Sequence, residues 1–541
     1  MGSATMNRPK SVCANPASIV AAIDFGTTYS SCAYSFKDED TLKINMNEKW
    51  SGGVDASSVP TSVLLDKDFK FVAFGHHAEK QYEGKTYHKE HLDWHLFRRF
   101  KMTLHNNENL GLNTEIEDEN GVKERAVTIF SMAIKDIKKQ LMESLKRSGH
   151  DVDDSHILWV LTVPAIWTEA AKQFMQEGCR YGGTVDVTIQ EVLKPNANLK
   201  ILDKASGGDW GGVSVDKYFL NFIKKLVGFD VYEKFSRNFP YQKLKFEKAM
   251  EACKREATPD TSKALYITIP QELIRVYGDF TSRKFDSSIV NQTQFSKDIL
   301  INGNEMEIKQ NRIHDFYDKT INNIISHVEN ILKNKSAEGV SYLLLVGGFA
   351  ESPLVEARIK KAFEGDRIKR VIVPREAGHA VVKGAVIFGH NPNAIAERVS
   401  PYTYGVETRR NFDPHKHAGK RKIKVNGVDK VAHVFDKHIT INEIMYVGKP
   451  NPEHIFYTIN PKLDKSSWNV YYTEKPDPTF CDDAGCSKLG TVEIELEGKH
   501  KTSEKRELGF RMTCQGTVLE AEACDKSTGK RLASIRKKRQ S

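Results

Sequence analysis

Ile19-Val20-Ala21-Ala22-Ile23-Asp24-Phe25-Gly26-Thr27-Thr28-Tyr29-Ser30 decides the fold. An apolar run enters a bend of glycine and threonine, and a second strand pattern follows from Ser31 to Phe36. Two strands around a glycine bend read as a hairpin. Glycine lets backbone N–H groups approach an anion with no Cβ in the way. The hydroxyls of Thr27 and Thr28 add donors for phosphate oxygens. Asp24 suits a hydrated Mg²⁺, an ion that keeps several waters and takes only one or two carboxylates. The design returns twice, as Gly182-Gly183-Thr184-Val185-Asp186 and as Val346-Gly347-Gly348-Phe349. One such bend is usually just a turn. Three in chain order, with Asp24 and Asp186 at the first two, point to a triphosphate held between two loops and a nucleoside against the third.

Working outward, residues 1–17 read as a loose tail. Phe130, Ile134, Ile137, Leu141 and Leu145 lie on one helical face, which predicts a helix near 124–147. Ile157 to Val163 reads as a buried strand ended by Pro164, and Thr184 to Val192 as a further strand. Helices are expected at Val215–Leu226, at 242–257 and along Tyr317 to Ile331. Leu343 to Val346 reads as a short strand. Ser352 as N-cap and Pro353 at the first helical position open another helix. Past about residue 396 short alternating segments dominate, as in Gly490-Thr491-Val492-Glu493-Ile494-Glu495-Leu496, which reads as an all-β module.

Composition narrows the function classes. The 541 residues are 39% hydrophobic and 28% charged, a globular profile too long for one core. The longest nearly apolar run, Ile157 to Trp167, is too short to span a membrane, and the N-terminus lacks the apolar stretch of a secretory signal. Eight scattered cysteines, with only Cys481 and Cys486 close and no second pair or histidine cluster near them, argue against a zinc site and for reduced thiols. The net charge of +9 is concentrated after Lys501, where 11 Lys or Arg face 5 Asp or Glu, ending Arg536-Lys537-Lys538-Arg539. The tail is read as a solvated terminus, with nuclear import or polyanion binding as the alternative. The near-neutral remainder argues against a dedicated nucleic-acid binder.

The loops also carry a resemblance. Ile23-Asp24-Phe25-Gly26-Thr27-Thr28-Tyr29-Ser30 resembles the first phosphate loop of the 70-kDa heat-shock chaperone family, within the actin and hexokinase ATPase superfamily. Val163-Pro164-Ala165 resembles its interlobe hinge. Gly182-Gly183-Thr184-Val185-Asp186 is similar to its second phosphate loop, and Gly211-Gly212 to the glycine pair that follows. Glu251-Ala252-Cys253-Lys254-Arg255 with Thr258 resembles the helix that stacks on adenine, and Leu345-Val346-Gly347-Gly348-Phe349-Ala350 the adenosine loop. Asp525-Lys526-Ser527-Thr528-Gly529-Lys530 looks like a turn of the chaperone's substrate-binding β-domain. The wording of Val163–Trp167 and Gly347–Leu354 is nearest the heat shock 70 kDa protein 12-like branch.

The resemblance implies an α/β fold: a two-lobed actin-like (ribonuclease H-like) ATPase domain followed by a C-terminal β-rich domain. It divides the chain into a tail at 1–17, a first lobe at 18–178, a second at 179–395 and a β-rich, substrate-binding-like domain at 396–541 with no lid. It implies ATP or ADP with Mg²⁺. Thr27 and Thr28, beside Gly26, would hold phosphates, and Asp24 and Asp186 the metal through water. Gly182, Gly183, Thr184, Gly211 and Gly212 would close on the γ-phosphate. Glu251, Lys254, Arg255, Thr258, Gly347, Gly348 and Phe349 would frame the adenosine. A Lys-Arg pair alone is usually a solvated helix face, but here it falls in register with the motif. Lys101 is the candidate catalytic lysine.

The departures bear on activity. Only 20 residues separate Pro164 from Thr184, shorter than in the family. Cys179 stands where the family has an Asp, Tyr181 replaces a glycine, and the Glu that orients the attacking water has no counterpart. An internal segment near residue 179 is therefore expected to be missing. Arg375 replaces an acidic residue on the nucleoside side. The sequence thus predicts an ATP-binding, heat-shock-70-like cytoplasmic chaperone of the stress response, with a nuclear alternative. It would couple nucleotide state to its β-domain, where unfolded peptides or a protein partner would bind, and hydrolysis is in question. A non-catalytic nucleotide-sensing scaffold is the alternative. A small-molecule kinase of the same fold ranks lower, because no carboxylate base motif faces a sugar site. Oligomeric state is left open.

Overall fold

The strand Ile19–Phe25 is apolar along its length because both of its faces are covered. Ile19, Ala21, Ile23 and Phe25 share a buried cluster with Phe130, Ile134 and Ile137 of the helix Ala126–Arg147. Val20 and Ala22 pack with Val382 and Val386 of the helix Ala380–His390. A strand buried on two sides loses the polar alternation of a half-exposed one. The close approach of the second helix depends on Gly389, where a Cβ would run into a Val20 methyl.

The computed structural model describes residues 18–37, 42–104, 107, 110–111, 113–162, 185–193, 198–291, 295–415, 417, 419, 422–425, 427–458, 463–496, 506–515, 518–529 and 531–533. The tail 1–17, the hinge Val163-Pro164-Ala165, Cys179, Tyr181 and the terminal basic run lie outside them. The fold is mixed α/β. The expected hairpin is present, with Tyr29–Phe36 returning antiparallel and Asp24 opposite Ser31. On its other side Ile19–Phe25 runs parallel to Ile157–Leu161. Asn45–Met46 and Val59–Pro60 complete this five-stranded sheet.

The chain divides into two compact units, Met1–Val187 with Gly207–His390, and Thr188–Ser206 with Asn391–Ser541. Besides the first sheet, the larger unit has a second core. The helices Gly212–Val227, Phe229–Asn238, Gln271–Thr281 and Gln310–Leu332 bury Phe219, Phe235, Leu273 and Ile321 there. They share it with the three-stranded sheet Ala264–Thr268, Glu305–Lys309 and Ile299–Asn302.

The smaller unit is built mainly of β-strands. A five-stranded sheet holds Thr403–Asn411, Val428–Ile439 and Lys465–Thr473, and a four-stranded sheet holds His454–Tyr457, Glu507–Gln515 and Val518–Asp525. Tyr404, Val406, Trp468, Val470, Phe510 and Met512 fill one core with residues from both sheets.

Two local expectations are corrected. Thr184 to Val192 is not one strand: Val185–Val187 ends, and Gln190–Leu193 begins a separate hairpin with Asn198–Ile201. That hairpin does not belong with the rest of 179–395. Asn198–Ile201 runs parallel to Ile395–Val399, which drew 188–206 into the β-rich unit. The helix expected after Ser352 does start there, with Ser352 at the N-cap and Pro353 following; its side chain makes no capping hydrogen bond. Among the described residues no helix is long and apolar enough to cross a membrane.

Candidate functional site

The first loop is held from behind. Thr61 donates its hydroxyl to the Gly26 carbonyl at 2.6 Å and its backbone N–H to the Thr28 carbonyl at 2.8 Å. Ser30 and Thr61 share a hydroxyl hydrogen bond of 2.8 Å. A Cβ on Gly26 would overlap the Tyr29 carbonyl oxygen, so only glycine fits this bend. Asp24 accepts from the Thr162 hydroxyl at 2.6 Å. Lys101 is buried and its ammonium donates to the Phe25 carbonyl, one residue before Gly26. The candidate lysine therefore does reach this loop, tethered to its backbone.

The helix Pro240–Arg255 brings the adenine-type motif to the same region. Arg255 lies over the Tyr29 ring, 5.0 Å from its centroid, and pairs with Glu251 at 2.7 Å. Burial, then the Glu251 charge, pushes the Tyr29 hydroxyl up to about 12. Lys254 turns inward, donating to Asp216 at 2.5 Å and to the Gly212 carbonyl at 3.2 Å. Arg99 stands 3.6 Å from Asp216 and 4.0 Å from Glu251. Burial raises the Asp216 carboxyl above the usual range despite Lys254 and Arg99, and its Oδ2 has no hydrogen-bond partner. Arg99, Asp216 and Tyr29 had no assigned role in the sequence reading. Nothing in a linear pattern shows that 99, 216 and 251 meet.

Gly211 is the N-cap of the helix Gly212–Val227, and no side chain caps it. The positive end of the helix dipole lies here without a side-chain cap, and the Ser214 N–H bonds back to the Gly211 carbonyl at 3.0 Å; such a helix start suits an anion. A Cβ on Gly212 would lie 3.5 Å from the Phe349 ring and 3.6 Å from the Lys254 ammonium. Phe349 is stacked near Tyr317, with centroids 6.0 Å apart, and Tyr317 donates to the Lys254 carbonyl at 2.8 Å. Gly347 has a φ of 90°, a left-handed value that suits glycine, and its N–H donates to Ala377 at 2.7 Å. Gly348 is exposed, with nothing where a Cβ would sit.

Most of the expected residues are thus joined. A continuous set of contacts runs from Tyr29, beside Thr27 and Thr28, through Arg255, Glu251, Arg99, Asp216 and Lys254 to Gly212 and Phe349. A cavity of about 300 Å³ lies against Thr28, Tyr29, Thr61, Arg99, Glu251 and Arg255, at the small end for a ligand site. Thr258 sits just beyond the helix, its hydroxyl buried without a partner and its carbonyl bonded to His314 at 2.7 Å. Gly182, Gly183 and Thr184 lie outside the described residues, and the side chain of Asp186 does too. Arg375 is exposed in a turn.

The donor set fits a magnesium nucleotide. A glycine bend that excludes any Cβ, an uncapped helix start, a buried Thr258 hydroxyl without a partner and an open glycine at 348 offer donors for phosphate and acceptors for hydroxyls. Asp24 is the described carboxylate placed to take a metal-bound water.

An α/β nucleotide-binding protein is the class that fold and site define. Comparison with known proteins then shows what the chain is similar to. A family model described as Hsp70 protein matches residues 282–438. The chain is 29% identical to mouse heat shock 70 kDa protein 12A over 618 residues, covering 95% of this chain and 90% of that protein. Human heat shock 70 kDa proteins 12A and 12B are each 28% identical with the same coverage. The chain is thus similar to the heat shock 70 kDa proteins 12A and 12B, and its residues 282–438 match the Hsp70 model. Those alignments are longer than the chain itself, so the relatives carry residues with no counterpart here.

Proposed function

We propose that this protein binds ATP and ADP with Mg²⁺ in a two-lobed, actin-like cleft and couples the bound nucleotide to its C-terminal β-rich domain, as a chaperone-like protein. Thr27, Thr28, Gly182, Gly183, Thr184 and the Gly211–Gly212 helix start would take the phosphates. Asp24 and Asp186 would take the metal through water. Glu251, Arg255, Gly348 and Phe349 would take the adenosine, and Lys101 would fix the first loop.

One observation carries the coupling. Residues 188–206 leave the chain right after the second glycine loop and return just before Gly211, and between those points they pair with the β-rich unit. Leu199 pairs with Ile395 and Lys200 with Glu397, an ion pair at 3.0 Å reinforcing the register. Both covalent ends of this hairpin thus enter phosphate-type loops. A γ-phosphate that orders those loops would bias the strand leading into the β domain.

The β-domain would take unfolded peptides or a protein partner, in the cytoplasm or, through the basic tail, the nucleus. A second reading, a nucleotide-sensing scaffold that does not hydrolyse, is favoured by Cys179 at the expected Asp and by the short stretch from Pro164 to Thr184. We ascribe that shortness to a missing internal segment; transcripts that all read as given across codons 170–185 would make it genuine.

The test is ATP titration of the full chain with Mg²⁺, read by thermal shift and by amide exchange. Nucleotide at 100 times its dissociation constant should add about 2.7 kcal/mol. It should also slow exchange at 190–201 and 395–399. No shift removes the nucleotide reading. A shift with unchanged exchange at both strands removes the coupling alone.

A further inference from the structure

Three metal-type ligands meet in the β-rich unit, apart from every residue assigned above. Asp436 and His438 are two apart on the strand Val428–Ile439, with the ladder's register shifting at His438. His454 opens the strand His454–Tyr457 of the other sheet. One ligand atom from each lies within 4.8 Å of the others. His454 Nδ1 is 2.6 Å from Asp436 Oδ2, and His438 Nε2 is 3.7 Å from that same oxygen. The two imidazoles stack, with centroids 3.9 Å apart and 27° between planes. A tetrahedral zinc site with bonds of about 2.0–2.1 Å has ligand–ligand edges of about 3.3 Å. Adjustments on the order of 1 Å therefore suffice to close these atoms on one ion.

A second observation points at the same spot. The His438 side chain is 0% exposed, and its Nε2 has no hydrogen-bond partner. A buried polar atom without a partner is costly in a folded protein. The surroundings also hold the ligands in place. Asn451 donates to the His438 carbonyl at 3.0 Å and accepts from the Met512 N–H at 2.6 Å. Arg410 takes Asp436 Oδ1 at 3.1 Å and leaves Oδ2 for the site. Partners of this kind orient metal ligands.

We propose that Asp436, His438 and His454 bind a zinc ion that clips the two sheets of the β-rich unit, with water in the fourth position. His454 and Asp436 keep 33% and 16% of their side-chain surface exposed, which gives the ion a way in and leaves that position open to solvent. Nitrogen and carboxylate donors in this ratio suit zinc over magnesium or calcium. No cysteine takes part, which is why cysteine spacing gives no hint of it.

The test uses the full chain, stripped with a chelator and dialysed. Zn²⁺ is titrated against a chromophoric competitor, and Co²⁺ is added separately to read visible absorption. One Zn²⁺ per chain and a tetrahedral Co²⁺ spectrum are expected. His454→Ala and Asp436→Asn should each weaken Zn²⁺ at least tenfold and abolish that spectrum. His438→Ala empties a buried position and threatens the fold, so the half-exposed His454→Ala decides, with circular dichroism as its control. Failure of the unaltered chain to bind Zn²⁺ overturns the site. So does equal affinity in His454→Ala, or binding that survives both substitutions and disappears when thiols are blocked.

Discussion

Replacing Arg98 by methionine should destabilise the larger unit by about 3 kcal/mol at neutral pH. Arg98 is buried with three carboxylates around it: Glu79 at 3.3 Å, Glu119 at 3.4 Å and Glu247 at 3.0 Å. Removing one partner of a buried ion cluster costs about 3–5 kcal/mol, because the remaining charges stay desolvated. The low end applies here, since each carboxylate keeps another cation. Glu79 retains Lys248 at 2.9 Å, while Glu119 and Glu247 retain Lys243 at 2.7 and 3.9 Å. The effect also has a pH signature. Burial pushes the Glu79 and Glu119 carboxyls up. Arg98 and Lys248 more than offset this at Glu79, as do Lys243 and Arg98 at Glu119, so both fold with pKa values below the ordinary range. Groups depressed in this way stabilise the fold above the unfolded pKa of about 4.3, and that stability is lost as pH falls through the folded value. Without Arg98 the depression shrinks and the acid-side slope flattens. Urea unfolding of both proteins, repeated from pH 7 downward, should show a gap that is largest at pH 7 and closes in acid. A gap under about 0.5 kcal/mol at pH 7, the size of an ordinary surface substitution, would refute the reasoning. So would a gap that does not change with pH.

Gly26→Ala should lower ATP affinity at least tenfold by calorimetry, because the new Cβ meets the Tyr29 backbone carbonyl and no rotamer relieves it, while Gly84→Ala, with open space around it, should leave affinity unchanged. Arg255→Ala should weaken ATP about fivefold, equivalent to about 1 kcal/mol for a lost cation–ring contact. It should leave the melting temperature within a degree or two, since Arg255 is 60% exposed.

The parts legible in the sequence were those written by local pattern. The hairpin at Gly26 declares itself because an apolar strand, a glycine bend and a second strand are contiguous. The helices over 126–147 and 310–332 declare themselves by one apolar face each. The contacts that assemble the site were not legible. Arg99 reaches Asp216 across more than a hundred residues, and Lys254 reads as a surface cation until the fold turns it onto Asp216 and Gly212. The hairpin at 190–201 was misplaced for the same reason. Its own pattern is strand-like in either unit, and only the pairing of Leu199 with Ile395 decides which one takes it.

Binding a triphosphate and hydrolysing it make different demands on this chain. Binding needs donors and positive charge around the phosphates. On the proposed reading the Gly26 bend, the uncapped start at Gly212 and the cations beside them would supply these. Hydrolysis needs in addition a water held in line with the scissile bond, which is a matter of positioning. The residues that resemblance assigns to that task fall in the shortened stretch around Cys179, outside the described residues. On the proposed reading, loss of the water-orienting Asp and Glu alone would leave the phosphate donors elsewhere in place. A ligand shifts a conformational equilibrium only by its difference in affinity for the two states, and turnover is not required for that. On the proposed reading the chain could therefore respond to ATP through the 188–206 hairpin without hydrolysing it. Return to the starting state would then follow nucleotide release and depend on the ATP-to-ADP ratio.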